Sequence, residues 1–278
     1  MKKVKVKAYA KINLILDVVG VEGNFHALKS LVCSIDLADD VIVKKRKDGK
    51  ITLKKRGIPY DCPQEKDNAY RSAINYLNDG QGVSIKIKKR IPVGGGLGGS
   101  SADIAGVLNA LDLLYDGQKD KQKIADQLGS DSKYMLKGGY AILEGRGDKI
   151  TYLNQNRQFY LLVLTCQNQV SAKQSYAEFD NQQKTYPQAC DQAVKAFNDK
   201  QFLSLLKNDL YPASSTILPQ IKSNLQDLKQ FGDCVMTGSG SAVVGVYLTK
   251  KQRDYAYKHL KKIHGDRLIK AKTITDID

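Results

Sequence analysis

Val4, Val6, Ala8, Ala10, Ile12, Leu14 and Leu16 alternate with Lys3, Lys5, Lys7, Tyr9, Lys11 and Asn13, until Ile15 breaks the rhythm. A period of two predicts a half-buried strand with one polar face. Val41-Ile42-Val43 and Ile51-Thr52-Leu53 read as two further strands around the turn Asp48-Gly49, and Ser84–Lys88 alternates again. Residues 68–77 look helical. After Pro92 and a glycine run, Ile104, Val107, Leu108, Leu111 and Leu114 recur at helical spacing. That pattern predicts a helix starting near Ala102 and stopping at Asp116-Gly117-Gln118-Lys119. A short helix over about 122–128 and a strand at Tyr140–Leu143 follow.

The polar stretch Asn154-Gln155-Asn156-Arg157 is the best candidate boundary. Beyond it come an apolar strand, Phe159–Thr165, and helical, lysine-rich segments over about 187–231. A strand at Ala242–Leu248 and a helix over about 252–263 close the chain. Strands and helices mix without a βαβ rhythm or an internal repeat. The expected fold is α+β in two domains, residues 1–155 and 156–278.

Composition narrows the function classes. The chain has 278 residues, of which 42% are hydrophobic, enough for a substantial core. No apolar run reaches the ~18 residues of a membrane span, and the basic start lacks a signal core, so a cytoplasmic protein without a membrane partner is expected. Cys33, Cys62, Cys166, Cys190 and Cys234 form no CxxC pair, and His26, His259 and His264 are scattered. Neither a disulfide framework nor a structural zinc site is expected, and no residue is assigned to a metal. The net charge of +15 suits an anionic substrate, a nucleic acid or a lysine-rich surface. The lysines are spread out and not interleaved with aromatics, which argues against a nucleic-acid partner.

The glycine run carries the chemistry. Gly94-Gly95-Gly96-Leu97-Gly98-Gly99-Ser100-Ser101 lies between a strand and a helix. Without Cβ atoms, backbone N–H groups approach an anion closely, and a helix N-terminus adds unpaired donors and a positive dipole end. A flexible connector is the plainer reading, but so many glycines would cost it conformational entropy. The Gly-Lys-Ser/Thr ending of a Walker loop is missing. A protein-kinase loop lies between two strands, whereas a helix follows here. The dinucleotide fingerprint matches Gly94, Gly96 and Gly99, yet no acidic second strand follows.

The segment Pro92-Val93-Gly94-Gly95-Gly96-Leu97-Gly98-Gly99-Ser100-Ser101 resembles the phosphate loop of the GHMP kinases. Ala10-Lys11-Ile12-Asn13-Leu14 and Met236-Thr237-Gly238-Ser239-Gly240-Ser241 resemble that superfamily's first and third motifs, in the right order. The resemblance spans nearly the whole chain. It implies an N-terminal domain like a ribosomal-protein fold and a ferredoxin-like C-terminal domain. Within the superfamily, further segments look most like the branch acting on a cytidine-diphosphate-linked alcohol of non-mevalonate isoprenoid synthesis. They are Gly23–Leu28, Asp36-Leu37-Ala38-Asp39, Asp67-Asn68, Lys89-Arg90-Ile91-Pro92, Gly138–Ala141, Gly145-Arg146-Gly147-Asp148 and Val170-Ser171-Ala172 with Tyr176.

The resemblance implies roles. Lys11 and Asp131 would be the catalytic pair. Pro92, the run Gly94–Ser101 and Asn68 would bind ATP, with Mg²⁺ alongside. Phe25 and Tyr176 would sandwich the cytosine, and Asn13, His26, Gly238, Ser239 and Gly240 would contact the substrate. Pattern alone leaves plainer readings open: a solvated lysine at position 11, a helix N-cap at Asp131, and core or loop aromatics at 25 and 176. The chain departs from the family at Tyr9, Ser100, Ala102 and Ser132-Lys133-Tyr134. Another GHMP kinase with a mevalonate-type or sugar substrate is the second hypothesis, and a basic RNA-binding module the third. Oligomeric state is not readable from the sequence.

Overall fold

The computed structural model describes residues 2–23, 25–59, 62–182 and 189–275. Its contacts cluster into two compact units. The first comprises residues 1–10, 37–93 and 98–138, the second 11–36, 94–97 and 139–278. The units interleave along the chain, unlike the single division at 155 expected from the sequence. The cause is local: strands β1 (Lys3–Glu22) and β2 (Phe25–Arg46) each contribute residues to both.

In the first unit, the end of β2 pairs antiparallel with β4 (Gly82–Lys89), and β4 pairs parallel with β3 (Ile51–Gly57). The two strands expected around Asp48-Gly49 therefore exist but are not neighbours, because β4 lies between them. Alternation is strict: Val83, Ile85 and Ile87 are buried while Lys86 and Lys88 are exposed. Lys3, Lys5, Lys7, Lys44 and Lys54 are exposed as well. Helices α1 (Asn68–Tyr76), α2 (Gly99–Leu114), α3 (Lys121–Leu128) and the short α4 (Ser132–Met135) complete the unit. Helix α2 begins three residues earlier than its apolar spacing suggests, inside the glycine run. Its residues Ala102–Leu108 are all buried. A Cβ at Gly106 would lie 2.9 Å from Val41 and 3.0 Å from Ala8, so only glycine allows this close helix–sheet approach.

In the second unit, β2 pairs with β5 (Tyr140–Gly145), which pairs with β6 (Lys149–Leu153). The end of β11 (Leu268–Ile274) pairs antiparallel with β2 through Thr273 and Ile274, and β11 opens an antiparallel run of order β11, β7 (Tyr160–Leu164), β10 (Val243–Tyr247), β9 (Asp233–Met236). Helices α8 (Gln220–Lys229) and α9 (Lys250–His264) pack on it. Helices α5 (Ala172–Asn181), α6 (Ala189–Lys195) and α7 (Tyr211–Ile217) and the two-residue strand β8 (Lys207–Asn208) fill the remainder. Positions 187 and 188, expected to open the helical stretch, lie outside the described residues, as does Asn24 of the Gly23–Leu28 motif. The core joins Leu16, Val18, Leu162, Leu164, Ile221, Met236 and Leu260. Each such side chain contributes about 1.5–3 kcal/mol on burial.

Candidate active site

The alternation at the start of β1 ends at Ala10. From there to Val18 every residue is buried, on both faces. Lys11 is 5% exposed and Asn13 4%. The solvated-lysine reading of position 11 is thus excluded. The cover comes from residues remote in sequence. Asn13 N donates to Thr237 Oγ1 at 3.0 Å, and Gly238 N donates to Asn13 Oδ1 at 2.9 Å. The same Oδ1 accepts from Lys11 Nζ at 2.7 Å, and Asn13 Nδ2 donates to Ser30 Oγ at 2.8 Å. The first and third motifs are therefore fastened together inside the second unit.

The first half of the glycine run is fastened to the same place. Gly94 O accepts from Ser241 N, Gly95 O from Ala242 N, and Leu97 O from Lys11 N, at 3.1–3.3 Å. Gly96 O accepts from Thr237 Oγ1 at 3.4 Å. Each carbonyl from Gly94 to Leu97 thus points into the protein. A trans peptide holds its N–H opposite its C=O, so the N–H groups of these peptides point the other way. Gly94, Gly96 and Gly98 have φ of +67°, +70° and +70°, alternating with residues outside that region. Alternating handedness is the backbone pattern of an anion-binding nest. Gly96 has a second constraint: a Cβ there would lie 2.1 Å from Thr237 O.

The second half of the run opens α2 in the first unit. Gly98 is the N-cap residue, in left-handed conformation, and no side chain caps the helix. The first-turn N–H groups of a helix have no intrahelical partner, and the dipole adds partial positive charge there. Buried charge anchors this turn. Lys89 Nζ contacts Asp39 Oδ2 at 2.5 Å and Asp103 Oδ2 at 2.8 Å, and reaches Gly99 O at 3.4 Å. Asp39 Oδ1 also accepts from Arg90 N and Ile91 N. Lys55 bridges Asp103 and Asp67, and Asp67 caps α1 through Ala69 N. Burial pushes the Asp103 carboxyl up to about 6, against the pull of Lys89 and Lys55. Sequence reasoning singled out the segments holding Lys89, Asp39 and Asp67 but gave these side chains no role. Their signal is charge at otherwise apolar strand or helix positions.

Asp131 belongs to the first unit and precedes α4. It occupies the N-cap position, but its side chain makes no capping hydrogen bond. The turn before it packs tightly on α2: a Cβ at Gly129 would lie 2.6 Å from Ser132 Oγ and 3.1 Å from Ser101 Oγ. Asn68, at the start of α1, donates to Leu128 O at 3.0 Å and accepts from Arg71 at 3.3 Å. Its amide ties α1 to the end of α3.

In the second unit, His26 stacks on Tyr176 of α5, with centroids 4.7 Å apart and planes 18° from parallel. Phe179 meets the imidazole edge-on, and His26 Nε2 lies 2.9 Å from Asp180 Oδ1. Helix α5 is set by a capping box at Ser171 and Gln174. Phe25 is 46% exposed, with the Arg146 guanidinium 3.7 Å from its ring centroid. Ser239 O accepts from Ser214 Oγ, and Gly240 N donates to Thr237 O. Asn208 Nδ2 supports this turn through Met236 O and Gly238 O at 2.7 and 2.8 Å; the sequence reading missed Asn208.

Fold and loop together define a GHMP kinase. The model of the GHMP kinases N terminal domain matches residues 68–141. The chain is 34% identical to the 4-diphosphocytidyl-2-C-methyl-D-erythritol kinase of Thermoanaerobacter pseudethanolicus, over 95% of this chain and 94% of the relative. It is equally similar to that of Clostridium tetani, over 97% of this chain and all of the relative. A crystal structure of 4-(cytidine 5'-diphospho)-2C-methyl-D-erythritol kinase superposes with TM-score 0.82 at 28% identity, covering 97% of this chain and 99% of the other. The crystal structure of L. major mevalonate kinase, at 17% identity and TM-score 0.78, shares the fold. The chain belongs to the 4-diphosphocytidyl-2-C-methyl-D-erythritol kinase family, and is an ATP-dependent small-molecule kinase. Among the described residues, no helix is long and apolar enough to cross a membrane.

Proposed function

We propose that this kinase transfers the γ-phosphoryl group of ATP to a hydroxyl of 4-diphosphocytidyl-2-C-methyl-D-erythritol, in non-mevalonate isoprenoid precursor synthesis in the cytoplasm. The observation that carries the choice of acceptor is the His26–Tyr176 stack: an aromatic surface with a polar ring nitrogen. Stacking plus a few hydrogen bonds holds a pyrimidine, and a mevalonate or sugar has no use for it.

The nest of Gly94–Leu97 peptides and the uncapped start of α2 fit the phosphates of ATP. Among the described residues no group of His, Cys, Asp and Glu could hold a metal by itself. Mg²⁺ commonly rides on substrate phosphates with few protein ligands, and the Ser100 and Ser101 hydroxyls are suitable oxygens. When bound, it neutralises charge on the transferring group. The acceptor hydroxyl oxygen bonds to the γ-phosphorus as the bond to the β–γ bridging oxygen breaks. Asp131 takes the hydroxyl proton, and Lys11 supplies positive charge for the transferring group.

A panel of cytidine-diphosphate alcohols, mevalonates, homoserine and sugars tests the assignment. Turnover confined to the cytidylyl alcohol supports it; turnover of another acceptor alone overturns it. Asp131→Asn at wild-type rate would remove only the proton-acceptor role.

A further inference from the structure

The Lys11 ammonium touches Asn13, and what fixes Asn13 is a residue that neither motif contains. Ser30, on β2 opposite Leu143 of β5, is 2% exposed. Its Oγ donates to Ile15 O at 2.6 Å. A serine hydroxyl has one proton, so toward Asn13 Nδ2, 2.8 Å away, it only accepts. That contact requires the amide nitrogen of Asn13 to face Ser30. At the other end, Lys11 Nζ and Gly238 N are pure donors, so both require the amide oxygen. The two ends agree, and the amide has one permitted orientation.

We propose that Ser30 is a positioning residue for the Lys11 ammonium, acting through Asn13: it locks the amide so that its oxygen holds the ammonium and the Gly238 turn together. Without the Ser30 oxygen, Asn13 keeps a buried donor with its designated acceptor gone. The amide then shifts to recover a partner, because an unsatisfied buried donor is costly. The ammonium and the Gly238 N–H follow it. The consequence falls on the step that uses the charge of Lys11 and on the acceptor side, where Asn13 and Gly238 lie, not on binding of ATP. Threonine, which carries the same hydroxyl, preserves the relay.

The inference rests on the kinase reading for its kinetic arm, and a second arm is independent of it. Steady-state kinetics on Ser30→Ala should show kcat lowered about tenfold, as loss of one ground-state orienting contact predicts. KM for ATP should stay within about twofold. Ser30→Thr should restore kcat. In an Asn13→Ala background, Ser30→Ala should change kcat no further, as for residues acting through one another. Ser30→Cys, similar in volume but a weak hydrogen-bond partner, replaces Ser30→Ala if the latter fails to fold. In protein labelled with ¹⁵N-lysine, the buried Lys11 ammonium signal should shift or vanish in Ser30→Ala and return in Ser30→Thr, with no substrate present. A lower melting temperature with unchanged kcat and an unchanged Lys11 signal would overturn the proposal, as would independent, additive effects of the Ser30 and Asn13 variants. An inactive wild type whose Lys11 signal still responds to Ser30 would count against the acceptor assignment, not against the relay.

Discussion

The Lys11 ammonium and the Asn13 amide oxygen lie 2.7 Å apart, on one face of one strand, with both residues at or below 5% exposure. A buried lysine in so short a contact is held by its surroundings and does not sample solvent. Lys11→Met, of similar length and without charge, is expected to fold, because Asn13 Oδ1 loses the Lys11 donor but keeps Gly238 N at 2.9 Å. Its kcat should fall about 10²–10³-fold, the range for removing one donor that stabilises transition-state charge. Steady-state kinetics beside thermal melting checks both halves.

The glycines of the phosphate loop differ in what they require. A Cβ on Gly96 would meet Thr237 O at 2.1 Å at a φ of +70°, whereas one on Gly95 would meet the Ala242 Cβ at 3.5 Å, an ordinary contact. Gly96→Ala should destabilise by more than about 1 kcal/mol and weaken ATP binding. Gly95→Ala should melt near the wild type. Urea unfolding and ATP titration of the two variants decide it, and equal behaviour would count against the packing argument.

How much of this was legible beforehand varies by element, for physical reasons. Alternation located β1 and β4, because their periodicity is a local property of the chain. It misjudged Lys11 and Asn13, since their cover comes from Thr237 and Gly238, 224 and 225 positions from Asn13. Strand β11 and helix α5 were missed although each carries a local signal: alternation in Leu268-Ile269-Lys270-Ala271-Lys272, and the Ser171/Gln174 capping box. Strand β9, Asp233–Met236, is too short for periodicity to register. The glycine run was recognised as a phosphate loop, but the sequence could not reveal that its carbonyls are taken by the other two motifs. The Lys89–Asp39–Asp103 cluster joins segments that only the folded sheet brings together.

Two carboxylates of the first unit should tilt the stability–pH curve in opposite directions. Burial raises Asp103 to about 6. Its native pKa exceeds the unfolded value near 3.9, so its contribution is present at low pH and lost as pH rises toward 6. Asp40 is held well below the usual carboxylate range by its contacts to Arg90 and Lys7. Its contribution is present above the unfolded pKa and lost as pH falls. Asp103→Asn should flatten the decline between about pH 4 and 6, and Asp40→Asn should remove part of the acid-side loss. Urea midpoints between about pH 4 and 6 report the Asp103 slope, and those below about pH 4 the Asp40 slope.

The His26–Tyr176 stack predicts a binding defect without a chemical one. Tyr176→Ala should raise KM for the cytidylyl acceptor about 10–100-fold, matching the about 1–3 kcal/mol of a base–aromatic stack. KM for ATP and kcat at saturating acceptor should change little. An unchanged acceptor KM would show that the base lies elsewhere.

Incubating the protein with γ-labelled ATP and 4-diphosphocytidyl-2-C-methyl-D-erythritol, and following label and ADP together, tests the central claim most directly. Label should appear on the acceptor, as a phosphate ester, in one-to-one ratio with ADP. Label released only as inorganic phosphate, or no ADP above the acceptor-free control, would contradict it.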